Sequence, residues 1–235
     1  MSVVAQSTIR NHILSRLSAA DFALFAPHLE AVDLPVPRQL ERGNKAIVHV
    51  YFPASGFASV IANGQSGRSI EVGLIGREGM TGIPIILGAD RSPNETFVQL
   101  SGGGWRMAVA DLRRATEQSP TLFRSLLLYA HAFLAQVTQT ALSNGRSKLD
   151  ERLARWLLMA HDRADSDEIK LTHEFLARML GVHRPGVTIA LNLLERQGLI
   201  RVHRGVIWLI DRKGLEELSN GAYGPPEAEA RRLFN

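Results

Sequence analysis

The chain has 235 residues, 45% hydrophobic and 21% charged, with a formal net charge of +4 and no cysteine. That length and apolar content suit one large domain or two small ones with real cores. The missing cysteine excludes disulfides, thiolate metal sites, cysteine-ligated iron–sulfur clusters and cysteine nucleophiles. The longest apolar run, at 126–135, is interrupted by Tyr129 and His131 and falls short of the roughly 20 residues a bilayer crossing needs. The N-terminus also lacks a basic segment followed by a solid apolar stretch, so no signal peptide or membrane anchorage is expected, and the cytoplasm is the default location.

Residues 8–31 read as short helices. Ile9, Ile13, Leu14 and Leu17 share one face, and Ser18 with Asp21 three positions on resembles a capping box. Pro35 and Pro37 then stop helix formation. From 38 to 110 the pattern changes to short Val-, Ile- and Phe-rich runs at 46–52, 57–62, 69–74, 95–100 and 105–109. Turn-forming stretches separate them at 53–56, 63–67 and 101–104. Strands at this spacing predict an antiparallel barrel or jelly roll.

Asp111 opens a helix that Pro120 interrupts, and residues 121–144 form one long helical stretch. Within it Leu126, Phe133 and Thr140 recur every seven residues, with Ala130 and Val137 between them. Such a seam predicts packing against a twin helix; the alternative is a helix packed on its own barrel. Asn144-Gly145 is a plausible stop. A second apolar face follows at Leu149, Leu153, Trp156, Leu157 and Ala160, then a polar loop at 162–170.

The most specific signal lies at 171–200, LTHEFLARMLGVHRPGVTIALNLLERQGLI. Thr172 caps a short helix whose apolar face is Phe175, Leu176, Met179 and Leu180. Gly181 allows a sharp turn, and a second helix runs from about His183 to Gln197. Two helices joined this way form the unit that lays its second helix in the DNA major groove. Strands at 199–202 and 206–210 around His203-Arg204-Gly205 then make a basic hairpin of the size of a wing. Between 178 and 213 stand seven basic residues and two acidic ones, a larger excess than that of the whole chain. Charge so concentrated predicts salt-dependent binding of double-stranded DNA. Arg184 is placed to read a guanine edge with two hydrogen bonds. His183 and Thr188 are candidates for backbone or base contacts, Pro185 suits an early helical position, and Arg204 and His203 are candidates for phosphate.

These segments resemble the Crp/Fnr family of bacterial transcription regulators. The resemblance runs through YFPASGFASVI (51–61), EVGLIGREGMTG (71–82), ERLARWLL (151–158) and GVHRPGVTIALNLLERQGLI (181–200). It implies an α+β chain in four parts. Residues 1–120 would be a cyclic-nucleotide-binding-like jelly-roll sensor, 121–145 a dimerisation helix, 146–218 a winged helix-turn-helix, and 219–235 a tail, either disordered or helical. It further implies a homodimer on a near-palindromic operator, acting with RNA polymerase. Arg184 falls where the family places its base-reading arginine, His203 at a wing position and Thr172 at a backbone contact, with Gly186 inside the same recognition segment. Two positions depart from the family: Pro185 replaces a usually acidic residue, and Ile189 stands where the best-known members carry another arginine, so an unusual operator is expected.

The effector region departs further. Cyclic-AMP-binding members hold the ribose with a glycine–glutamate pair and the phosphate with an arginine–serine pair. Here Gly82 and Ile83 offer no neighbouring acid, and Asn94 and Glu95 occupy the second pair's register, where Glu95 would repel a phosphate. No tight cyclic-nucleotide binding and no cofactor are expected, and any effector is unidentified. His49 and His131 read as structural. Two other functions compete: a metal-dependent cupin-like enzyme, which needs converging histidines where the barrel segment offers His49 alone, and an architectural DNA-binding protein.

Overall fold

The computed structural model describes residues 4–64 and 69–234. Their packing separates into two units. One holds the residues up to Val60 together with Ile75–His131; the other holds Ile61–Leu74 and the residues from Ala132 onward.

The first unit starts with two capped helices, α1 (His12–Arg16) and α2 (Ala19–Phe25). Asn11 is buried and fully engaged: its Oδ1 accepts from the amides of Ile13 and Leu14, and its Nδ2 donates to the carbonyls of Pro53 and Gly79. One polar side chain thus caps a helix and fastens it to the strands. The expected face of Ile9, Ile13, Leu14 and Leu17 is buried, and Ser18 caps α2 by accepting from the Asp21 amide. The helical segment is shorter than expected, because Pro27 tightens the chain into a single 3-10 turn and a strand follows.

Strands β1 (Glu30–Leu34), β2 (Gln39–Glu41), β3 (His49–Pro53), β4 (Phe57–Asn63) and β5 (Ser69–Ile75) come next. Then follow helix α3 (Ile83–Ile86), β6 (Glu95–Leu100), β7 (Gly102–Ala108), helix α4 (Val109–Gln118) and the long helix α5 (Pro120–Arg146). Two antiparallel sheets result, in the orders β1-β7-β3 and β2-β6-β4-β5. Leu34 and Tyr51 of the first sheet pack with Val98 of the second, with Val32 and Leu40 alongside, so the inner faces close on each other as in a jelly roll. β1 and β2 escaped the sequence reading because both are short and neither alternates cleanly. The expected turn at 63–67 lies mostly outside the described residues. The expected turn at 101–104 is instead the start of β7. Its glycines let strands approach closely: a Cβ on Gly104 would collide with the Phe52 carbonyl.

The first part of the seam expected on α5 faces inward. Leu126 is fully buried and Ala130 nearly so, while Phe133, Val137 and Thr140 are half-buried. The heptad spacing was real, but its first half packs into the chain's own first unit. The assignment of Leu126 and Ala130 to a dimer seam is therefore corrected. The large apolar residues α5 leaves exposed are Phe123, Leu127, Leu134 and Leu142.

In the second unit Gln136 of α5 binds both the amide and the carbonyl of Leu74 through its side chain. Helix α6 (Leu149–His161) begins after Arg146 and carries Leu153, Trp156, Leu157 and Leu158 into the core. The Trp156 indole donates to the buried Glu71 carboxylate at 2.6 Å. Strand β8 (Glu168–Lys170), helices α7 (His173–Leu180) and α8 (Arg184–Arg196), strands β9 (Ile200–His203) and β10 (Val206–Leu209), and helices α9 (Arg212–Leu218) and α10 (Pro225–Phe234) complete the chain. β8 lies inside the expected polar loop and forms a three-stranded sheet in the order β8-β10-β9. The tail is helical. It is tied down by the Tyr223 hydroxyl, which donates to Asp162, and by the buried Arg155, whose Nε donates to the Ala222 carbonyl.

Candidate nucleic-acid interface

α7 begins at Thr172, whose hydroxyl accepts from the Phe175 amide at 3.2 Å. It ends at Gly181, which takes a left-handed conformation with φ of 63°. Glycine adopts this at little cost, and a Cβ here would stand 2.9 Å from Ile70 Cδ1, so the Ile70 side chain would have to shift. The chain turns through Val182, and α8 starts at Arg184 with Pro185 in its first turn. Val187, Ala190, Leu191 and Leu194 anchor α8 to the core. At the far end, the Glu195 carboxylate accepts from the Val202 amide of β9 and ties α8 to the wing.

With one face anchored, the other faces solvent. Arg184, Pro185, Ile189, Asn192 and Arg196 are all exposed. His183 stands at the N-cap without a capping side-chain hydrogen bond, which leaves the positive end of the helix dipole open to an anion. Asn192 is absent from the sequence-derived set; counting seven residues on from Pro185 around the helix finds it.

Two expected contact residues are turned inward. Gly186 is half-buried, and a Cβ there would meet Leu149 Cδ2 at 3.2 Å, so it also serves the packing of α8 on α6. The Thr188 hydroxyl bonds His173 Nδ1 at 2.9 Å and the Arg184 carbonyl at 3.2 Å, which locks α7 to α8.

β9 and β10 pair in register, with His203 opposite Val206. Arg204 and Gly205 form the two-residue turn with φ of 47° and 77°, as the twist of a tight hairpin requires. His203, Arg204 and Arg201 are exposed on this hairpin. Not all of the local positive charge is open. Arg212 donates to Asp162, Glu216 and the Tyr223 hydroxyl, and Arg178 donates to Ser69 Oγ.

Residues 151–218 match the Crp-like helix-turn-helix domain. That segment of the chain is thus similar to the DNA-binding domain of Crp-like regulators. The transcriptional regulator SdrP of Thermus thermophilus is 33% identical over 106 residues, which cover 43% of this chain and 52% of SdrP; the match thus spans about half the length of that relative. Two solved structures share the fold. One is a putative transcriptional regulator of the Crp/Fnr family from Eubacterium rectale, with a TM-score of 0.68, 21% identity, and coverage of 89% of this chain and 98% of that one. The other is FixK2 from Bradyrhizobium japonicum, with a TM-score of 0.70, 18% identity, and coverage of 81% and 96%.

The segment around Gly82, which the resemblance assigns to an effector, is engaged by the chain's own groups. Gly82 caps α3 with φ of 82°. Its amide donates at 2.6 Å to Oε1 of Glu41, a residue of β2 that is 7% exposed, and Glu41 Oε2 accepts from the Thr96 hydroxyl at 2.7 Å. An acid is therefore present, but it comes from another strand, where matching of local registers could not find it. Ile83 and Asn94 are half-buried, Glu95 opens β6, and Arg91 is exposed and paired with Asp90. Among the described residues no group of three or more His, Asp or Glu side chains is placed to hold a metal ion.

Burial raises the Glu41 pKa above the usual glutamate value, against the opposing hydrogen bonds from Thr96, Gly82 and Thr81. A raised folded-state pKa means that the stability Glu41 contributes at acid pH is lost as pH climbs through that raised value. Glu41→Gln, which keeps an acceptor for Gly82 and a donor for Thr96, is expected to remove this slope. Chemical denaturation from mildly acid to neutral pH should show the variant gaining on the parent as pH rises.

Proposed function

We propose that this protein is a DNA-binding transcription factor that works as a homodimer in the cytoplasm, without a cyclic nucleotide. The observation that carries the reading is the exposed face of α8, with Arg184 at its open N-terminus and the Arg201–Arg204 hairpin following it. Two such faces, related by a dimer axis, would enter major grooves about one helical turn apart. The long helix α5 is the dimerisation element, through Phe123, Leu127, Leu134 and Leu142. The internal use of the Gly82 amide by Glu41 supports independence from cyclic nucleotides; micromolar or tighter binding of cyclic AMP or cyclic GMP in calorimetric titration would refute that part. No helix among the described residues is long and apolar enough to cross a membrane.

The test is retardation of the protein's own promoter DNA in the presence of nonspecific competitor; no retardation would refute the reading. With about four arginines per protomer near phosphates, affinity should fall about 10³- to 10⁵-fold between 50 and 200 mM salt. Arg204→Ala should make the plot of log affinity against log salt shallower by about two units for the dimer. Genome-wide occupancy separates a regulator, with a few discrete sites, from an architectural protein with broad coverage. A contact with RNA polymerase belongs to the same reading, and promoter position would decide between activation and repression.

A further inference from the structure

Ile189 is 68% exposed, more than any other large apolar side chain among the described residues. It sits within the outward face of α8, flanked along the helix by Pro185, Asn192 and Arg196. Nothing in the packing of the helix calls for an isoleucine there, since Val187, Ala190, Leu191 and Leu194 complete the buried face. A lone exposed aliphatic residue is ordinary on a protein surface. This one is on the surface that the proposed function presses against a base-pair edge, and there its chemistry matters. A branched hydrocarbon returns no hydrogen bond to a base edge or phosphate that loses water against it, and an unsatisfied polar group costs free energy. The major groove displays one apolar group, the C5-methyl of thymine.

We propose that Ile189 is a specificity-determining residue that reads a thymine methyl group in each operator half-site. The proposal rests on the DNA-binding reading above. Five residues of helix separate Ile189 from Arg184, about 7.5 Å along the axis. At about 3.4 Å per base pair, the thymine lies about two base pairs from the base that Arg184 contacts. The β-branched side chain is stiff about its first torsion, so it presents its methyl groups to the groove with little conformational freedom to lose.

The experiment begins by selecting an operator from random synthetic duplexes, in which thymine is the sole source of a pyrimidine 5-methyl group. Each thymine of the selected half-site is then replaced by deoxyuridine, which keeps every hydrogen-bonding group and removes the methyl. At one position the affinity of the full-length protein should fall about fourfold per half-site and about 15-fold with both half-sites changed, the contribution of one buried methyl-sized group. Ile189→Ala should bind the thymine and deoxyuridine operators equally at that position and retain its preference for the base read by Arg184. Ile189 is exposed, so an unchanged melting temperature is expected for the variant. Equal affinity of the parent for thymine and deoxyuridine at every position, with base discrimination otherwise intact, would overturn the proposal and leave DNA binding standing. Deoxyuridine sensitivity that persists in Ile189→Ala would overturn it too, by assigning the methyl to another residue. Failure to select any operator would instead overturn the function on which the proposal rests.

Discussion

Arg184→Ala is expected to abolish operator recognition while leaving a folded dimer. Arg184 is exposed, stands at the first position of α8 and contributes nothing to the buried face of that helix. A guanidinium reading a guanine edge through two hydrogen bonds contributes about 1–3 kcal/mol of discrimination. The proposed homodimer would use it twice, so specific affinity should fall by about 30-fold to about 10⁴-fold. Binding to scrambled DNA, which depends on total charge, should weaken far less. Arg184→Lys should recover part of the affinity and little of the discrimination, because an ammonium cannot form the paired hydrogen bonds. Competition between operator and scrambled duplexes, with sedimentation to confirm the dimer, measures all three quantities. Specificity preserved in the alanine variant would remove Arg184 from its role.

The second large effect concerns α5. Leu134 is 59% exposed on a helix of 27 residues, on the side that also exposes Phe123, Leu127 and Leu142. If these residues meet their counterparts in a twin helix, Leu134→Glu places a carboxylate in an apolar seam at both copies and is expected to yield monomers in sedimentation. Operator affinity should collapse with it, because two half-site contacts no longer act as one. Leu126→Ala gives the opposite pattern. Leu126 is fully buried, so the variant should lose about 2–5 kcal/mol of stability and keep its dimer contacts. A dimeric Leu134→Glu protein would place the interface elsewhere.

Local chemistry made much of this legible in the sequence. The Ser18 and Thr172 caps, the Gly181 turn, the Pro185 entry to α8 and the Arg204-Gly205 hairpin all depend on neighbours within a few residues. What escaped depends on distant partners. β1 and β8 are short strands that exist because β7 and β10 offer them a ladder. Glu41 reaches Gly82 and Thr96 across the fold. Gly186 reads as a groove residue alone, although Leu149 lies beside it. The seam on α5 shows a subtler failure: periodicity reports that a face is covered, and says nothing about whether the cover comes from the same chain.

The end of β4 and most of β5 group with the second unit, although both strands also belong to the sheet β2-β6-β4-β5. Ile70 fits against the Gly181 turn, Glu71 receives the Trp156 indole and Ser69 meets Arg178. The second unit is therefore discontinuous along the polypeptide. A fragment excised at the start of α6 would leave the indole without that carboxylate and the turn without the Ile70 contact, and a ribosome must make more than 60 further residues after β5 before its partners exist. Folding of the second unit is thus tied to both segments, and grafting its helix-turn-helix onto another protein would have to carry β5 along.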